Sequence, residues 1–98
     1  MDIGSVIRDF RKKKKISQTQ LAKLSNITQT YLSQIENNQK EPTIPTLKAI
    51  AEGLSIPLPV LLFMSIENAD IPENKREAYG VISPSVKSLL DTFFSDDK

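Results

Sequence analysis

Cysteine is absent from these 98 residues, and so is histidine. Without cysteine there is no disulfide framework, no thiolate metal site and no thiol nucleophile. Without histidine the commonest general base and the commonest metal ligand are gone, and with them every Ser-His or Cys-His arrangement. Glycine is scarce, at 3 residues, and forms no loop that could cradle a phosphate. Long apolar runs are missing as well. The longest, around Val60 to Met64, falls far short of the ~20 residues a membrane-spanning helix needs. Met1-Asp2-Ile3-Gly4 offers no basic flank before an apolar core, so no signal peptide is expected. The remaining carboxylates and lysines sit at no diagnostic spacing. No enzyme, cofactor or metal is therefore expected. With 39% hydrophobic and 26% charged residues, the composition fits one globular domain. A cytoplasmic binding module is the default reading.

What the chain does have is a charge asymmetry. Residues 1–48 carry nine Lys and Arg against four Asp and Glu, a balance of +5, whereas residues 49–98 carry four against eight, a balance of −4. A basic front half suits a polyanion, and an acidic tail suits a different task. The run Lys12 to Lys15 has two readings. It is an electrostatic patch, or a solvated helix end whose cations suit the negative pole of the helix dipole.

The pattern is helical throughout. There is no alternating β-branched run and no Asn-Gly or Asp-Gly hairpin signal. Ile3, Val6, Ile7 and Phe10 mark a first helix over about residues 2–14. Ser17 and Gln20 form a capping box for a second helix over 18–25, with Ile16 and Leu21 as its hydrophobic staple. Thr28 caps a third, stapled by Ile27 and Leu32, and Asn26 suits the left-handed turn between the two. Two short helices joined this way make a helix-turn-helix. Thr43 caps a fourth helix, with Pro45 in its first turn and Leu47, Ile50, Ala51 and Leu54 on its inner stripe. Ser55-Ile56-Pro57 breaks it, and an apolar fifth helix covers 58–66. A short helix near 72–79 is expected. Ser83 and Pro84 then read as the cap and first residue of a last helix, with Val86, Leu89, Leu90, Phe93 and Phe94 on one face.

The third helix carries the functional signal. At about 100° per residue, Tyr31, Leu32 and Ile35 point one way, and Thr30, Ser33, Gln34 and Asn37 the other. Gln29 sits at the N-terminal tip. Ordinary solvated faces are rich in Lys and Glu, because those residues propagate helix well. This one holds only amides and hydroxyls. Gln can bond adenine N6 and N7 together, and a Thr methyl can pack on the thymine methyl. The alternative is a plain polar surface.

Residues 18–37, Gln-Thr-Gln-Leu-Ala-Lys-Leu-Ser-Asn-Ile-Thr-Gln-Thr-Tyr-Leu-Ser-Gln-Ile-Glu-Asn, resemble the helix-turn-helix of the Cro and phage-repressor (XRE-like) family. Ala22 matches the small residue where the two helices touch, and Asn26 stands where the family usually has Gly. Leu32 and Ile35 match the buried positions, and Ile35-Glu36-Asn37 the closing motif. Pro42-Thr43 and Leu47 to Ala51 resemble the fourth helix. Ser55 to Leu62 resemble the fifth, with Pro57 in place of the usual polar cap. The resemblance spans about residues 3–65. It implies an all-α, five-helix lambda-repressor-like DNA-binding domain, here residues 1–66, followed by a helical C-terminal extension at 67–98.

The resemblance also implies roles, position by position. Gln29, Thr30, Ser33 and Gln34 fall at base-contacting positions. Gln18 opens the second helix, where the family bonds a phosphate through side chain and helix N-terminus. Asn37 and Lys40 fall at further phosphate positions, and Thr28 and Tyr31 are placed to reach the backbone. Arg11 and Glu36 match the positions of a partly buried ion pair between first and third helices, read here as architectural. The expected function is a transcriptional regulator that binds an inverted repeat of double-stranded DNA as a homodimer, the last helix either capping the core or making the dimer contact. The alternative is an antitoxin-like module that keeps the fold and pairs with a protein.

Overall fold

The computed structural model describes residues 1–95, and all regular structure among them is helical. Six α-helices follow one another: α1 (Ile3–Lys13), α2 (Gln18–Leu24), α3 (Gln29–Glu36), α4 (Ile44–Gly53), α5 (Leu58–Ser65) and α6 (Arg76–Phe94). Two 3₁₀ turns, Asn68–Asp70 and Glu73–Lys75, lead into α6. Where the sequence suggests a short helix at 72–79, the second turn covers 73–75 and α6 itself takes over from Arg76.

The first four helix starts each have a local cap. Asp2 caps α1 by accepting from the Ser5 N–H. In the capping box of α2, Gln20 N–H donates to Ser17 Oγ at 3.0 Å and Ser17 N–H donates to Gln20 Oε1 at 2.8 Å. Thr28 and Thr43 cap α3 and α4 through Tyr31 N–H and Thr46 N–H. Helix α5 begins behind Pro57 with no side-chain cap.

Helix ends follow one rule four times over. Lys15, Asn26, Asn38 and Ser55 each take a left-handed φ between 56° and 58°, just past the ends of α1, α2, α3 and α4. At each, the next N–H reaches back to a carbonyl five residues earlier. The bonds are Ile16 to Arg11, Ile27 to Ala22, Gln39 to Gln34 and Ile56 to Ala51, at 2.8–3.1 Å. These are Schellman closures, built without glycine at any of the four positions. Three of them place an isoleucine inward immediately after the left-handed residue. Ile16 and Ile27 are partly buried against the core and Ile56 belongs to it.

The core draws Ile7 and Phe10 from α1, Leu21 and Ala22 from α2, Leu32 and Ile35 from α3, Leu47, Ile50 and Ala51 from α4, Leu54 and Ile56 from the following turn, and Leu61 from α5. Helix α1 packs on α3 and α5, α2 on α3 and α4, and α4 on α5. Helices α4 and α5 are the most apolar stretch, but they are bent by 105° and feed this core. Among the described residues no single helix is long and apolar enough to cross a membrane.

The tail departs from its sequence reading. Ser83 does not cap a helix; it lies buried inside α6, and Pro84 is an interior residue. Pro84 has no N–H to give the Gly80 carbonyl one turn back, and Gly80 is exposed, so water can serve that carbonyl. Tethers beyond Pro84 hold the helix against the body in spite of the proline. Lys87 Nζ donates to the Ile66 carbonyl at 2.7 Å, Asp91 pairs with Lys13 on α1, and Phe94 packs on the core. The apolar face expected at Val86, Leu89, Leu90, Phe93 and Phe94 is split. Val86, Leu90 and Phe94 are half-buried, while Leu89 and Phe93 stand in solvent.

Candidate nucleic-acid interface

Helix α3 is eight residues long, too short to be stable alone, so its pose comes from its neighbours. Leu32 and Ile35 are fully buried beneath it. At its far end α1 comes unusually close. A Cβ on Gly4 would lie 2.4 Å from the Ile35 carbonyl oxygen and 2.8 Å from that of Glu36, so only glycine fits there. Gly4 N–H donates to Asn38 Oδ1 at 3.3 Å, and Asn38 Nδ2 donates to Asp2 Oδ1 at 2.8 Å. The Asn38 amide, with Ser5, holds the Asp2 carboxyl below its ordinary range. This clamp joins the start of α1 to the end of α3. The sequence reading missed it, although Asp2 ahead of an apolar run is a capping signal.

A second clamp holds the side chain of the last residue of α3. Arg11 Nε donates to Glu36 Oε2 at 2.8 Å and Arg11 Nη2 to Glu36 Oε1 at 3.0 Å. A further Arg11 N–H reaches the Ile16 carbonyl at 3.1 Å. Glu36 is 2% exposed, so its charge is compensated inside the protein. Gln18 Nε2 also donates to Glu36 Oε1, at 3.2 Å, and Gln18 Oε1 accepts from Gln29 Nε2 at 3.4 Å. A chain of polar contacts thus runs Arg11, Glu36, Gln18, Gln29. It links the interior to the tip of α3. The spacing of the four residues gives no hint of the two glutamine links.

The outer face of α3 is uncharged. Gln29 and Thr30 are exposed, and Ser33 and Gln34 lie on the same side, Ser33 half-buried and Gln34 partly so. Around this face lie the other residues singled out from sequence. Thr28, Asn37 and Lys40 are exposed, and Gln18 and Tyr31 are half-buried. Tyr31 packs against the core. Gln18 keeps one of its two amide hydrogens after bonding Glu36.

The lysine run divides. Lys12 and Lys15 are exposed, Lys14 is buried, and Lys13 is engaged with Asp91 and lies 6.0 Å from the Phe10 ring centre. It is therefore not one continuous patch. A short polar helix face, held by its neighbours and followed by the exposed Lys40, has the chemistry of a reader of DNA.

A helix-turn-helix family profile matches residues 7–61, which is more than half of the chain. This chain belongs to the XRE-type helix-turn-helix family, the DNA-binding regulators of the Cro and phage-repressor kind. It is a regulator and not an enzyme. The ImmF control region 10 kDa protein of Bacillus phage phi105 is 40% identical over 65 residues, covering 66% of this chain and 72% of that protein. The immunity repressor of the same phage is 39% identical over 56 residues, covering 57% of this chain but only 39% of the repressor's length. Control protein C.SmaI of Serratia marcescens is 33% identical over 66 residues, 63% of this chain and 79% of that one. Among solved structures, a point mutant of the restriction-modification controller protein C.Esp1396I superposes with a TM-score of 0.64 at 34% identity, over 69% of this chain and 88% of that one. The clp gene regulator ClgR from Corynebacterium glutamicum matches 99% of this chain and 93% of its own with a TM-score of 0.64; at 21% identity it speaks to fold alone.

Proposed function

We propose that this protein is a sequence-specific transcriptional regulator that meets double-stranded DNA in the cytoplasm and reads an inverted-repeat operator as a homodimer. Gln29, Thr30, Ser33 and Gln34 reach base edges in the major groove. Gln18, Thr28, Tyr31, Asn37 and Lys40 hold phosphates on either side. Residues 1–66 form the reading domain and 67–98 an extension concerned with assembly. The uncharged amide and hydroxyl face of α3 carries this reading, because it presents hydrogen-bonding groups with no charge competing for solvent or counter-ions. Two copies are needed because a two-fold operator presents the same half-site twice.

Selection of bound sequences from random DNA at defined salt tests the proposal. A two-fold symmetric consensus is expected. Affinity is expected to fall with a slope of log K against log salt near −0.9 per neutralised phosphate, with about four to eight contacts per dimer. Equal affinity for random and selected DNA, or a flat salt response, would defeat it.

A further inference from the structure

Helix α6 has two apolar faces, and only one has an intramolecular partner. Val81, Ile82, Leu89 and Phe93 are 74%, 60%, 73% and 74% exposed. At about 100° per residue they fall within roughly one third of the helix circumference. Ala78, Ser85 and Thr92, all exposed, complete the same stripe. Every charge on the helix (Arg76, Glu77, Lys87 and Asp91) lies outside it. The stripe is therefore uncharged over its whole length, about 22 Å at 1.5 Å per residue. The other side of the helix is tied down by Lys87, Asp91 and Phe94, so the stripe is held facing away from the body.

From this geometry we infer that the α6 stripe is a self-recognition surface, and that its occupant is the same stripe of a second copy, antiparallel and crossing at Ser85. That crossing puts small side chains where the helices come nearest. It sets Val81 of one copy against Leu89 of the other, four residues to either side of the crossing. It sets Thr92 against Ala78, and Phe93 lies beside that pair. The four large side chains offer roughly 400–500 Å² of apolar surface, at the size where an exposed patch marks an interaction site. Pairing two copies buries up to about 800–1,000 Å², close to the ~1,000 Å² at which specific interfaces begin. Other occupants fit less well. The stripe has no cation for DNA or an anionic membrane, and residues 49–98 carry a balance of −4. The inference rests on the dimeric reading above and adds the surface that makes the dimer.

The absence of native cysteine gives a clean test. In full-length Ser85→Cys the only thiol sits at the crossing, facing its own mate. Mild oxidation should link most of the protein as a dimer, at least tenfold faster than it links Glu52→Cys, an exposed position on α4. Leu89→Asp should raise the dimer dissociation constant at least tenfold in sedimentation, with helical circular dichroism unchanged; Val81→Lys should do the same. Linking of Ser85→Cys no faster than Glu52→Cys, or dimers that persist in both charge variants, would overturn the inference. Base preference on a single half-site is a separate readout. If Leu89→Asp keeps that preference and loses tight binding to the two-half-site operator, both readings stand. If wild type links through residue 85 but shows no base preference, the stripe stands and the operator reading fails.

Discussion

Gln18 and Arg11 share one oxygen. Both donate to Glu36 Oε1, Gln18 from its amide at 3.2 Å and Arg11 from its guanidinium at 3.0 Å. A residue proposed to hold phosphate is thereby fixed by the ion pair that fixes α3. Arg11→Met should strand the Glu36 carboxylate in the interior, at a cost of about 3–5 kcal/mol. The double change Arg11→Met with Glu36→Leu should recover much of that loss. Thermal melts of the single and double variants measure it, and additive shifts would show the residues to be uncoupled.

The base-facing and phosphate-facing sets should separate in a mismatch panel. Gln29→Ala, Thr30→Ala and Gln34→Ala should each relax preference at one or two base positions, by about 1–3 kcal/mol for a bidentate contact. Lys40→Ala should weaken every sequence alike and reduce the salt slope by about one unit. The same pattern from both sets would contradict the assignment.

Gly4→Ala runs against helix propensity. In a solvated helix the change stabilises by up to ~1 kcal/mol. Here the added methyl meets backbone oxygens that cannot move aside without displacing α3. Loss of stability is expected, together with weaker DNA binding, and calorimetry with a binding titration reads both. A rise in melting temperature would mean that α1 and α3 are less tightly apposed than described.

The left-handed helix ends make an opposite prediction. Lys15→Gly and Ser55→Gly should each stabilise by about 0.5–1 kcal/mol, because a Cβ is disfavoured at φ near 57°. Asn26→Gly should gain less, since asparagine already tolerates that conformation. Denaturant midpoints at constant m-value would check the ranking.

Acid should loosen the tail's attachment. The hydrogen bond from Lys13 lowers the Asp91 carboxyl from its ordinary value of 3.8. A lowered folded-state value contributes stability that is full above the unfolded value and is lost as pH falls through the folded one. Asp91→Asn should therefore cost about 0.2–1 kcal/mol near neutrality, as a partly exposed pair does. The gap from wild type should begin to close below about pH 3.8 and vanish only once pH has fallen past the lowered folded-state value. Melts from pH 7 down to pH 2 would show whether the two curves converge.

Most of the body was readable because its signals are local. Ser17 with Gln20, Thr28 and Thr43 are caps whose partners lie three residues away, and the buried stripes of α3 and α4 follow helical spacing. Asn26 announced its turn by residue type. Lys15 and Ser55 did not, because nothing about a lysine or serine advertises a left-handed φ; the closure there depends on the isoleucine that follows finding the core. Ser83 and Pro84 misled for a related reason. They are a sound local start signal, overruled by tethers from Ile66 and Lys13, far away in sequence. At the candidate site the residue types were visible, but the Gln18 link to Glu36 and the Gly4 contact with α3 are tertiary, with no periodic trace.

Helix α3 folds only because its inner side chains and its two ends are gripped by other helices. None of those grips uses Thr30 or Ser33, and the Gln34 side chain is not part of them either. Three of the four positions that would choose an operator are therefore nearly silent in folding, Gln29 with its bond to Gln18 being the exception. Mutation can alter what the protein recognises while leaving it as well folded as before, so new specificities are open to this scaffold by single steps.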